Sequence, residues 1–129
     1  MEAKELRIGN YVKDHLGRVQ KVSETRSDAY ICYLSNATKL KYKLNTTKPI
    51  RLTEEWLIKF GFYYGESEDY GYLWLKCKMG EFYVRPSYLG GFYWGFDYNN
   101  EIDGQNNIKH VHQLQNLYFA LTNEELTIK

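Results

Sequence analysis

The sequence predicts an α+β fold: a curved antiparallel sheet or partial β-barrel of about seven or eight short strands, one short helix at about 54–60, and one packing helix at about 111–121. Three observations carry this. Most of the chain is cut into short apolar–polar alternations separated by Gly, Asn and Asp, the pattern of half-buried strands. Only the stretch from His110 to Leu121 sustains helical spacing, with Val111, Leu114, Leu117 and Leu121 on one stripe and Phe119 and Ala120 leaving little polar surface opposite. The composition, with 13 Tyr, 3 Trp and 6 Phe against 2 Pro, is rich in residues that suit a pleated surface.

The 129 residues suit a single domain, 1–129, able to bury roughly two thirds of the surface its unfolded chain exposes without disulfide or structural metal. A formal charge of +1 points to no polyanionic partner by itself, but its distribution is uneven: residues 1–59 hold 12 Lys/Arg against 7 Asp/Glu, and residues 60–129 hold 5 against 9. Cys32 and Cys77 lie in alternating runs with no CxxC pair, which suits buried free thiols in a reducing cytoplasm. The opening Met-Glu-Ala-Lys-Glu-Leu-Arg lacks the apolar run of a secretory leader, and no run is long enough to cross a bilayer; no membrane association and a cytoplasmic location are expected.

Taken in order, Leu6, Ile8 and Val12 read as a first strand, Asp14 to Gly17 as a turn, and Arg18 to Val22 as its return. In the run from Ala29 to Ser35, Tyr30, Cys32 and Leu34 share a face. From Lys39 to Leu44, Leu40, Tyr42 and Leu44 alternate with Lys39, Lys41 and Lys43. These lysines serve either as edge protection or as a phosphate-binding row. Thr53 is placed to cap a helix whose first turn carries Glu54 and Glu55, Leu52 and Leu57 form a hydrophobic staple, and Gly61 supplies the left-handed end with Phe62 folding back. Residues 63–71 read as a loop. The runs from Tyr72 to Lys78 and from Glu81 to Arg85 form a hairpin about Met79-Gly80. The preferred register sets Lys78 against Glu81, Lys76 against Tyr83 and Trp74 against Arg85; a longer bulged loop would shift it by one. Phe92 to Tyr98 is a further strand with Phe92, Trp94, Phe96 and Tyr98 on one face. A loop to Asn107 follows, then the helix, an Asn123 stop, and a brief last strand at Leu126 and Ile128.

Three segments together resemble a group of small uncharacterised proteins from phage and prophage regions of Bacteroidetes-type bacteria: Leu6-Arg7-Ile8-Gly9-Asn10, Leu52-Thr53-Glu54-Glu55-Trp56-Leu57 with Phe60-Gly61-Phe62, and Val111-His112-Gln113-Leu114-Gln115-Asn116-Leu117-Tyr118-Phe119-Ala120-Leu121-Thr122. The last is the specific one. Where the group usually carries Gly, this chain has Asn123, which keeps the helix-stop logic. The resemblance implies a mobile-element accessory protein in a bacterial host, and carries over no functional residues.

No phosphate-binding loop, nucleophile elbow or HExxH motif is present, so a non-catalytic binding protein without a cofactor is expected. His110 and His112 would point about 200° apart on a helix, a poor metal pair, and no metal site is expected. The candidate ligand-binding face is Tyr72, Trp74, Lys76, Tyr83 and Arg85, aromatic planes interleaved with cations as a nucleotide or single-stranded nucleic acid requires. The competing reading makes these rings a second layer of core, with Trp74 and Arg85 as a cation–π pair. Exposed aromatics would equally serve a homo-oligomer, or an interface with a host or phage protein.

Overall fold

The computed structural model describes residues 5–25, 30–35, 38–43, 47–64, 72–77, 80–87, 90–96 and 107–129; the side chains of 24–25, 30–35, 38–43 and 96 lie outside that description. The fold is α+β: two sheets of antiparallel strands and two helices. The strands are β1 (Tyr11–Lys13), β2 (Val19–Thr25), β3 (Tyr30–Ser35), β4 (Thr38–Lys43), β5 (Tyr63–Tyr64), β6 (Leu73–Cys77), β7 (Gly80–Pro86) and β8 (Phe92–Phe96). The helices are α1 (Glu54–Lys59) and α2 (Val111–Thr122). Each sheet is an open meander in chain order, β1-β2-β3-β4 and β5-β6-β7-β8, and neither closes into a barrel among the described residues.

The chain divides into two compact units. Unit 1 holds Met1–Arg51 and His110–Tyr118, and unit 2 holds Leu52–Lys109 and Phe119–Lys129. The division sharpens the charge asymmetry: unit 1 has 11 Lys/Arg against 5 Asp/Glu, and unit 2 has 6 against 11.

In unit 1 the buried apolar residues include Leu6, Val12, Val22, Ile50, Val111, Leu114 and Tyr118. The first strand begins later than its apolar pattern suggests. Residues 6–10 form a turn, closed by the Asn10 N–H donating to the Arg7 carbonyl at 3.1 Å, which leaves Ile8 62% exposed. Two side chains of α2 satisfy that irregular backbone. Gln115, fully buried, accepts from the Tyr11 N–H at 2.9 Å and donates to the Gly9 carbonyl at 3.0 Å. Asn116 donates to the Glu5 carbonyl at 2.8 Å and accepts from Asn10 Nδ2 at 2.9 Å and Arg7 Nη1 at 3.2 Å. The buried stripe of α2 therefore runs Val111, Leu114 and Gln115, Tyr118, Thr122, while Leu117 and Leu121 are half-buried. Gln113 reaches back to the His110 N–H at 3.0 Å, one half of a capping box.

The β1–β2 turn is organised by Asp14. Its carboxylate accepts from the Leu16 and Arg18 N–H groups at 2.9 Å each, Arg18 Nε at 2.9 Å and Gln20 Nε2 at 3.0 Å. Burial pushes this carboxyl up, but the bonds from Gln20, Arg18 and Leu16 together outweigh it and hold its pKa at about 2.

Unit 2 begins at α1. Thr53 Oγ1 accepts from the Trp56 N–H at 3.4 Å as the N-cap, and Leu52 and Leu57 are both buried as a staple. Gly61, at φ 97°, donates to the Ile58 carbonyl while the Phe62 N–H reaches the Leu57 carbonyl, both at 3.0 Å: a Schellman stop. The predicted short strand at Leu126 and Ile128 is not formed. Leu126 is buried, and the Lys129 N–H bonds to the Lys59 carbonyl at 2.8 Å beside the end of α1. Asn123, at φ 59°, stops α2 with its N–H on the Phe119 carbonyl at 2.8 Å.

The β6–β7 register differs from the one the face pattern favours. Cys77 pairs with Gly80, Lys76 with Glu81, Trp74 with Tyr83 and Leu73 with Val84, a slip of two residues along β7. A slip of two preserves which residues share a face, so Leu73, Leu75, Phe82 and Val84 stay together although every partner changes. Gly80 pairs within the ladder at φ 127°, a conformation that side chains resist, and so takes a strand position where the sequence pattern put the turn. On this face Phe82 packs edge-on to Phe62 at 6.1 Å and stacks with Trp94 at 6.0 Å.

Two stability predictions follow from these contacts. Gln115→Leu removes the partner of the buried Tyr11 N–H and of the half-buried Gly9 carbonyl, and is expected to lower unfolding free energy by about 1–3 kcal/mol in urea denaturation. The lowered carboxyl of Asp14 contributes stability that is complete above its ordinary value of 3.8 and lost as pH falls toward about 2. Asp14→Asn should therefore flatten the acid limb of the stability–pH curve across that window.

Candidate functional site

The five residues of the predicted ligand face all occur in unit 2, but at different depths. Trp74 and Tyr83 face each other across the β6–β7 ladder, rings 5.1 Å apart at 50°, and are 2% and 1% exposed. Tyr72 lies against both, stacked on Trp74 at 6.1 Å and tilted to Tyr83 at 5.2 Å. Tyr83 crosses over Gly95 of the adjacent strand: a Cβ there would sit 2.6 Å from the Tyr83 hydroxyl. Burial raises the pKa of that hydroxyl, followed by the influence of Tyr72, against a lowering by Arg85. With their planes covered, Trp74 and Tyr83 have no free face for a base.

The surface of this cluster is a narrower strip. Arg85 is paired in register with Tyr93, not with Trp74, and its guanidinium lies 4.7 Å from the Tyr93 ring centre and 5.9 Å from that of Tyr72. Tyr93, which the sequence placed merely on the reverse of an aromatic strand, is the missed member; only the β7–β8 register brings it to Arg85. Lys76 is exposed and faces Glu81. Trp74→Ala is thus expected to lower stability by about 3–5 kcal/mol, the range for a large aromatic removed from a core; a melting transition left in place would return Trp74 to the list of contact residues.

The lysine row is placed by backbone register alone. Lys39, Lys41 and Lys43 pair with Leu34, Cys32 and Tyr30 along β4, the last strand of the unit 1 sheet. A second basic group, not anticipated from the sequence, stands at the other end of that sheet. Lys13 and Lys48 form an antiparallel bridge with mutual N–H to carbonyl bonds of 2.9 Å each, so the two residues are directly opposed. Both are exposed, and no acidic partner is found for either among the described residues. Lys21 pairs with Tyr11, and its ammonium stands 5.9 Å from that ring. Tyr11 and Lys13 alternate to the same face of β1, so Lys13, Lys21 and Lys48 share one side of the sheet.

The histidines are arranged differently from the helical expectation. His110 precedes α2, bridged to Arg51, so the two rings do not diverge by helical geometry but lie 5.8 Å apart at 17°. His112 is 3% exposed with Nε2 3.7 Å from Glu5 Oε2. Burial, then the neighbouring His110, lowers its pKa, against an opposing pull from Glu5. Among the described residues no three His, Cys, Asp or Glu side chains gather as a metal site, and no helix is long and apolar enough to cross a membrane. In comparisons with family models, curated proteins and solved structures, nothing matches this chain.

Proposed function

We propose that the protein is a non-catalytic nucleic-acid-binding protein, a mobile-element accessory as its resemblance to phage and prophage proteins implies, and that unit 1 makes the contact. The observation that carries this reading is the opposition of Lys13 and Lys48 on an exposed sheet face with Lys21 close by. Like charges directly across a ladder destabilise it. A chain of phosphates removes that penalty and releases counterions on binding. The excess of 11 basic over 5 acidic residues in unit 1 supplies the surrounding field. The lysines of β4 lie in the same unit and would extend the basic footprint.

A second reading rests on β5. It lies at one end of the unit 2 sheet, and its two residues, Tyr63 and Tyr64, are 41% and 53% exposed. Exposed aromatics on an outer strand suit strand-to-strand association with a second copy or another protein. A dimer abolished by Tyr64→Lys in sedimentation would favour it.

The nucleic-acid reading is tested by the salt dependence of oligonucleotide binding. Each phosphate contact adds about 0.7 to the slope of log K against log salt for a single strand. Lys13→Ala with Lys48→Ala is expected to reduce the slope by about 1.4. The same pair of changes should leave the melting temperature equal or higher, because like-charge repulsion is removed. An unchanged slope would overturn the assignment.

A further inference from the structure

Beside the lysine face, unit 1 holds a cleft of about 460 Å³ lined by Ile8, Gly9, Lys21, Val22 and Ser23. Its volume falls within the few hundred Å³ and upward typical of sites for small organic groups. Two backbone irregularities build it. The register of β2 against β3 shifts between Val22 and Glu24, so Ser23 is the bulge residue, and a bulge bends its strand and re-aims its side chain. On the other side Gly9, at φ 97°, donates to the Val22 carbonyl at 2.8 Å while the Val22 N–H reaches the Asn10 carbonyl at 2.8 Å. This seats the 8–10 turn against the bulge. The same turn leaves Ile8 62% exposed beside the cleft it lines. Gln115 fixes the turn by taking the Gly9 carbonyl and the Tyr11 N–H.

We propose that this cleft receives one unstacked base of a single-stranded nucleic acid, with Lys21 at its rim meeting the adjoining phosphate; the proposal rests on the polyanion reading of unit 1. Lys21 belongs both to the cleft lining and to the face carrying Lys13 and Lys48, so a strand lying along the lysines passes the opening. The wall is mainly apolar, with Ile8 and Val22 offering contact to a base plane and Gly9 allowing close approach of the backbone. A duplex keeps its bases stacked and paired, and offers only phosphates. The protein should therefore prefer single strands, and the preference should reside in Ile8.

Fluorescence anisotropy on the full chain with three probes tests this: labelled oligo(dT), a duplex of the same length, and an abasic sugar–phosphate oligomer. Wild type is expected to bind oligo(dT) about threefold to tenfold more tightly than the other two, the gain from burying part of one base against the aliphatic side chains of Ile8 and Val22. Ile8→Ser, a neutral change at an exposed side chain, should erase that preference while leaving duplex affinity, salt slope and melting temperature unchanged. Equal affinity of wild type for all three probes, or oligo(dT) affinity untouched by Ile8→Ser, overturns the base pocket but leaves the lysine contact standing. Binding of none of the probes, or binding indifferent to salt, overturns both.

Discussion

The interaction on which unit 1 depends is the clasp of Gln115 on the backbone between Gly9 and Tyr11. Residues 6–10 belong to neither a strand nor a helix; the Gly9 N–H and the Asn10 carbonyl bond to Val22 of β2, and Gln115 takes the Gly9 carbonyl and the Tyr11 N–H. Left unpaired in a buried setting, each would cost more than an ordinary hydrogen bond contributes. One fully buried amide side chain meets both needs at once, donating and accepting, and Asn116 does the same one residue later for Glu5, Asn10 and Arg7. Apolar side chains at 115 and 116 would pack as well in a generic helix but could not hold this turn. That is the physical reason the Leu-Arg-Ile-Gly-Asn and His-Gln-Leu-Gln-Asn segments, at opposite ends of the sequence, belong together.

The turn so held carries the functional reading. It presents Ile8 to solvent, closes a cleft against the bulge at Ser23, and leads into β1, whose Lys13 is set against Lys48. The aromatic wealth of the chain does a different job. In unit 2, Trp74 and Tyr83 are buried beneath Tyr72, Tyr83 fills the space left by the missing side chain of Gly95, and Arg85 lies beside Tyr93. Such a cluster contributes dispersion, quadrupole and cation–π terms to a small sheet. In the proposed reading, the basic unit recognises a polyanion through charge and one pocket, and the aromatic cluster of the acidic unit is scaffold.

What the sequence revealed and what it hid divide along physical lines. Features set by neighbours a few residues apart were legible: the Thr53 cap, the Leu52–Leu57 staple, the Gly61 stop and the Asn123 stop all depend on local geometry, and all are present. Face alternation on β6 and β7 was legible, but register was not, because slips of two residues satisfy the same alternation and the left-handed Gly80 decides between them. The α2 stripe was legible in period but rotated, since a polar Gln115 occupies a core position that hydrophobicity alone gives to Leu117. The Lys13–Lys48 opposition had no sequence signal at all. Residue 48 lies outside any alternating run, and only tertiary pairing brings it to β1. The division of the strands into two sheets was equally invisible, because strand count does not state which strands pair.

The measurement closest to the central claim is the map of amide chemical-shift changes when isotopically labelled protein is titrated with a short oligo(dT). The contact face proposed here predicts progressive, salt-sensitive shifts at Gly9, Lys13, Lys21, Ser23 and Lys48, with the amides of Trp74, Tyr83, Arg85 and Tyr93 unmoved. Shifts centred on Tyr72, Arg85 and Tyr93 with Lys13 and Lys48 silent would contradict it and return recognition to the aromatic strands of unit 2.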